Sequence, residues 1–151
     1  MILIRTKLRN IRVDKNKLKK IIQTMLEVLD YQDFDIGILL TTNATIRKYN
    51  RDFRNKDCPT DILSFPFHPE INAGQRIEIK SPEDKNLGDI IISLEYVEQK
   101  APEWNRTFEQ HLKVLFAHGI AHLLNYDHQT DEEFKVMNKV EKKLLKALKI
   151  L

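Results

Sequence analysis

Cysteine is nearly absent from this chain: Cys58 is the only one in 151 residues. An internal disulfide is excluded, and the usage points to a reducing compartment. No run of about eighteen apolar residues occurs, so no segment reads as a membrane-spanning helix. The opening MILIRTKLRN mixes basic and apolar residues, without the sustained apolar stretch and small-residue cleavage site of a secretory leader. A cytoplasmic protein is the expectation. Internal repeats, low-complexity tracts and dividing linkers are missing too, so residues 1–151 are expected to form one domain. A chain of this length can bury roughly two thirds of its unfolded surface and needs no covalent staple.

Charge of either sign is not extreme, at +3 overall, but it is unevenly placed. Arg5, Lys7, Arg9, Arg12, Lys15, Lys17, Lys19 and Lys20 crowd the first twenty positions, opposed there by Asp14 alone. A second cluster, Arg47, Lys48, Arg51, Arg54 and Lys56, is interleaved with Tyr49 and Phe53. Cations with aromatics between them suit a nucleic-acid backbone. Solvated helix faces would look the same.

Periodicity predicts the elements. Leu18, Ile21, Ile22, Met25, Leu26 and Leu29 form a 3.6-residue stripe over 15–30, with Asp14 as a cap. FDIGILLT (34–41) alternates as a strand. Thr42 or Asn43 then caps a short helix through Ile46, Tyr49 and Phe53. DILSFPF (61–67) is a second strand, which Pro66 confines to an edge or a strand end. QRIEIK (75–80) suggests a short strand within a polar loop, and GDIIIS (88–93) a buried one. Ser93 caps a helix that stops before Pro102. A long helix is expected over 105–124, and a last one over about 131–149 with Phe134, Met137, Leu144, Leu145 and Leu148 on one side. Helices flanking three or four strands give an α/β or α+β domain.

What the chain does concentrate is histidine. Three of its five lie in AHGIAHLLNYDHQT, at His118, His122 and His128. Residues i and i+4 of a helix share a face, so His118 and His122 can reach one ion together. The third ligand requires the chain to leave the helix and turn back, and Asn125 tolerates the left-handed conformation such a turn needs. Three neutral imidazoles with one vertex left for water are the pattern of a catalytic zinc, expected once per chain. Zinc peptidases with similar spacing carry a glutamate after the first histidine as general base. Here Gly119 stands in its place, which disfavours amide hydrolysis. A phosphodiester needs a Lewis acid and cationic clamps instead, which an ion and an arginine can supply.

HGIAHLLNYDH (118–128) resembles the hallmark H-G-x-L-H-L-x-G-Y-D-H of the YbeY family of bacterial rRNA maturation factors, proposed to be single-strand-specific metallo-endoribonucleases. Ala121 replaces a leucine and Asn125 a glycine of that hallmark, and neither is a ligand. NRDFRNKDCPTDILSFPF (50–67) and LGDIIIS (87–93) are similar to two further blocks of the family, in the expected order. The resemblance implies an α+β fold: a small mixed sheet of three or four strands, about five helices, and the metal site on a long helix and the turn after it. It also implies maturation of the 3′ end of small-subunit rRNA and ribosome quality control. Single-stranded RNA would be the substrate, and the small subunit and its assembly factors the partners.

Arg54 occupies the position of the family's functional arginine. A guanidinium pairs bidentately with phosphate and stays charged, so Arg54 is the expected phosphate contact, with Arg51 and Lys56 as further RNA-binding cations. Asp127 either orients a ligand imidazole or caps the turn. Asp61 and Ser64 either face the cleft or satisfy backbone groups. His111 is two turns from His118 and suits packing or substrate contact, and Cys58 is a bystander. The residue serving as general base is not identified. Two other readings stand beside the nuclease: a ribosome-binding assembly factor with a mainly structural zinc, and a metal-dependent peptidase or small-molecule hydrolase.

Overall fold

Alternating isoleucines and leucines build a sheet, and 3.6-residue stripes build the helices that cover it. The computed structural model describes residues 1–8 and 11–149. Arg9 of the first basic cluster lies outside the described residues. The chain runs β1 (Ile2–Thr6), α1 (Lys15–Val28), β2 (Asp35–Thr41), α2 (Asn43–Arg54) and β3 (Ile62–Pro66). It continues as β4 (Asn86–Ser93), α3 (Leu94–Lys100), α4 (Phe108–Leu123) and α5 (Asp131–Leu148), with short 3-10 turns before β4 and α4. The class is α+β, with five helices and one mixed sheet among the described residues.

The sheet order is β1-β2-β4-β3. β1, β2 and β4 are parallel, and β3 is antiparallel at one edge, where Pro66 closes it. Side chains alternate between the two faces of a strand. Ile36, Ile38 and Leu40 of β2, Ile90 and Ile92 of β4, and Ile62 of β3 enter the main core. There they meet Ile22, Met25 and Leu26 of α1, Phe116 and Ile120 of α4, and Leu144 of α5. Fully buried side chains of this size each contribute about 1.5–3 kcal/mol. Leu63 and Ile91 point the other way and pack on Ile46 of α2. Helices α1, α3, α4 and α5 therefore contribute to the core on one face, and α2 covers part of the other.

Caps end the helices where the sequence places them. Asp14 accepts from the N–H groups of Asn16 and Lys17, Thr42 from Thr45, and Ser93 from Tyr96. Each such cap is worth about 1 kcal/mol. No helix among the described residues is long and apolar enough to cross a membrane.

Four expectations need correction. QRIEIK is no strand: the Ile77 N–H donates to the Tyr31 hydroxyl at 3.0 Å and Arg76 binds the Leu29 carbonyl at 3.1 Å, so side chains replace a ladder. The fourth strand is β1 instead, which buries only Ile4 fully because it lies at an edge. α4 begins at Phe108, not near 105, since Asn105 is left-handed and Thr107 forms a capping box with Gln110. Phe134 is exposed, while Met137 and Leu144 carry the buried face of α5.

Candidate metal centre

α4 is anchored by Leu112, Leu115, Phe116, Ile120 and Leu123, all buried. Gly119 lets it lie close to the sheet. A Cβ at that position would sit 2.8 Å from Ile62 Cδ1 and 2.9 Å from Ile90 Cδ1. Position 119 thus faces β3 and β4, and a carboxylate there would be buried among apolar side chains. That packing explains the glycine beside the first histidine.

The helix stops in a Schellman turn. Tyr126 N–H donates to the Ala121 carbonyl and Asn125 N–H to that of His122, at 3.1 and 2.9 Å. Asn125 takes the left-handed conformation, φ 65°. Three residues later His128 comes back over the helix end. Ring centroids lie 4.5 Å apart for His118 and His122, 5.3 Å for His122 and His128, and 5.7 Å for His118 and His128. One nitrogen from each ring lies within 4.8 Å of the others, and the group has these three members among the described residues.

The first ring is held from behind. His118 Nδ1–H donates to the Glu141 carboxylate of α5 at 2.8 Å. With Nδ1 of His118 committed, the Nε2 atoms of His118 and His122 face each other at 3.0 Å. Two lone pairs at that separation are favourable only with a cation or proton between them. Nitrogens on one tetrahedral zinc, about 2.05 Å from it, would lie about 3.3 Å apart. The donor set fits a metal ion, and His128, exposed on its turn, needs only a small adjustment to complete it. Burial, then the neighbouring His118 and His128, pushes the His122 pKa down to about 4. His122 is therefore neutral near pH 7, as a ligand must be.

Glu141 is the residue that sequence reasoning missed. It lies four residues after Met137 and three before Leu144, an acid on the apolar face of α5, and that misplacement was the available signal. Asp127 accepts the His128 N–H at 2.8 Å, so its carboxylate is on the turn's backbone. Asp61 likewise accepts the Ile62 N–H at 2.7 Å. Ser64 lies against α4, its Oγ 3.4 Å from the position a Gly119 Cβ would take. His111 is buried, with Nδ1 3.2 Å from Arg106 Nη1. Cys58 is exposed.

Arg54 ends α2, whose Ile46 packs with Leu63 and Ile91 on the face of the sheet opposite the main core, and Lys56 follows it. Arg54 and Lys56 are exposed and have no acidic partner within 4 Å among the described residues, while Arg51 meets Asp52 at 3.1 Å and Arg47 meets Asp57 at 2.8 Å.

Residues 3–149 match the family described as Endoribonuclease YbeY. The chain is similar to the Endoribonuclease YbeY of Homo sapiens, 37% identical over 147 residues, which are 97% of this chain and 87% of the human protein. It is similar to that of a Sulfurihydrogenibium species, 38% identical over 148 residues, covering 97% and 91% of the two chains. The solution structure of TM1509 from Thermotoga maritima superposes with a TM-score of 0.59 at 26% identity, covering 99% of this chain and 92% of the other.

Proposed function

The chain belongs to the YbeY endoribonuclease family, and on that footing we propose that it is a zinc-dependent, single-strand-specific endoribonuclease of rRNA maturation. One observation carries the reading: three imidazoles converge, with His118 tied back through its other nitrogen to Glu141. We take residues 1–151 as one cytoplasmic metallohydrolase domain that processes the 3′ end of small-subunit rRNA and serves ribosome quality control. The small subunit and its assembly factors are its partners.

His118, His122 and His128 hold one Zn²⁺. Bound there, the ion supplies Lewis acidity and lowers the pKa of water toward about 7. Arg54 grips a phosphate through two parallel N–H bonds, and Lys56 and Arg51 add cationic grip. The Arg51–Asp52 pair is exposed, and such pairs are worth about 0–1 kcal/mol, so it yields readily to RNA. Glu141 holds His118 with its Nε2 turned to the ion. Gly119 contributes no base. The products assign the nucleophile: a 2′,3′-cyclic phosphate marks the adjacent 2′-OH, and a plain 3′ end with 5′-phosphate marks water.

A structural zinc in an assembly factor would fill its fourth vertex with a protein side chain. The histidine group has three members among the described residues, which supports an open site. The peptidase reading is weakened because position 119 faces the sheet.

The test is cleavage of single-stranded RNA by wild type, His118→Ala and Arg54→Glu under matched metal conditions. Wild type carries one ion per chain and cleaves. His118→Ala loses cleavage and metal, and Arg54→Glu loses cleavage alone. Equal cleavage in all three, or wild type without stoichiometric metal, overturns the proposal.

A further inference from the structure

Residues 67–85, between β3 and β4, contain only a single 3-10 turn, Pro82–Asp84, yet they are fastened at both flanks. On one side Ile77 is buried and Arg76 stacks on Tyr31, 3.9 Å from its ring centre. On the other the segment meets the turn after α4. There Asn125 Nδ2 donates to the His68 carbonyl at 2.8 Å. Gly74 also comes so near Tyr126 that a Cβ on it would lie 3.3 Å from the hydroxyl. His68 itself is immobilised: it is buried, with Nδ1 3.2 Å from Glu70 Oε1 and Nε2 2.7 Å from the Asp84 carbonyl.

We propose that Asn125 is a positioning residue for the histidine cluster, its side-chain amide clasping the 67–85 segment to the turn that aims His122 and His128. The inference rests on the metal-site reading above. A left-handed φ alone would be met by glycine without strain. Asparagine adds a donor that glycine lacks, and that donor reaches a carbonyl fifty-seven positions away. The clasped turn is joined to both ligands: the Asn125 N–H donates to the His122 carbonyl at 2.9 Å, and the Asp127 carboxylate accepts the His128 N–H at 2.8 Å. Metal sites demand placement within about 0.5 Å, so freeing this turn blurs two of three ligands at once.

Asn125→Gly separates the two properties of the residue, keeping the left-handed turn and deleting the amide. Asn125→Asp keeps the shape and sets an acceptor against the carbonyl. On metal-free protein, amide hydrogen exchange at residues 67–73 reports the clasp. Zn²⁺ titration against a competing chelator and the visible spectrum of the Co²⁺ form report the ligands. Both variants should exchange faster than wild type and bind Zn²⁺ about three- to tenfold more weakly, the range of a single hydrogen bond, with an altered Co²⁺ spectrum. Wild-type affinity and spectrum in Asn125→Gly overturn the inference even if exchange quickens, because the amide would then be only a structural tie. A wild type that takes up no ion sinks the metal-site reading and this inference with it; that control tells the two failures apart.

Discussion

Glu141 shows how much a single carboxylate decides. A histidine can present either nitrogen, and the 2.8 Å bond from His118 Nδ1–H fixes which one remains for a ligand. Glu141→Gln keeps the size and an acceptor oxygen but removes the charge that favours the donating Nδ1–H. Changes of this type weaken metal binding by about tenfold or more. Zn²⁺ titration of the folded variant should find that loss with little change in secondary structure, and an unchanged affinity would reassign Glu141 to packing. The carboxylate was hard to see beforehand because it is one of 22 acids and lies twenty-three residues from its partner. The histidines announced themselves through spacing, since i and i+4 is a local relation. Arg54 was marked by its block, and no local spacing ties it to the histidines.

Among the elements, α4 carries the site only because it can approach β3 and β4 at Gly119. Gly119→Val would drive a branched side chain into Ile62 and Ile90, which already stand 2.8 and 2.9 Å from a bare Cβ. Overpacking of this sort costs about 1–3 kcal/mol, and a β-branched residue gives little helix propensity in return. The urea midpoint should fall accordingly, with looser metal binding as α4 lifts from the sheet; a variant as stable as wild type would mean that the contact is slack. Helices with a stripe and a cap were legible at their starts, as α1, α2 and α3 show, and α5 was legible from its stripe apart from the exposed Phe134. What stayed hidden depends on distant partners. β1 alternates in burial, but its outward Leu3 is apolar like Ile2 and Ile4 and masks that alternation, and the 75–80 segment alternates but finds its hydrogen bonds on the turn around Tyr31. Pro66 was informative because a missing N–H is tolerable only at an edge or strand end.

At the level of the molecule, two histidines tie stability to pH. His122 is pushed down to about 4, first by burial and then by His118 and His128. His111 is lowered too, by burial first and then by Arg106. Both have folded pKa values below the unfolded value of about 6.5, so the folded state binds fewer protons and unfolding takes protons up. Their stabilising contribution is complete above that value and is lost as pH falls, for His122 through to about 4. Asp57, held low chiefly by its hydrogen bond from Arg47, titrates beneath this window. Urea midpoints of metal-free protein should therefore drop steadily between pH 6.5 and 4, and a flat profile would contradict the burial assigned to these rings.

The support for His118 comes from α5, the last helix among the described residues. Ribosomes make proteins from the N-terminus onward. A growing polypeptide that has released its first 130 residues already owns all three imidazoles but not the acid behind them. Until α5 is made and packs, His118 would thus be free to turn either ring nitrogen outward.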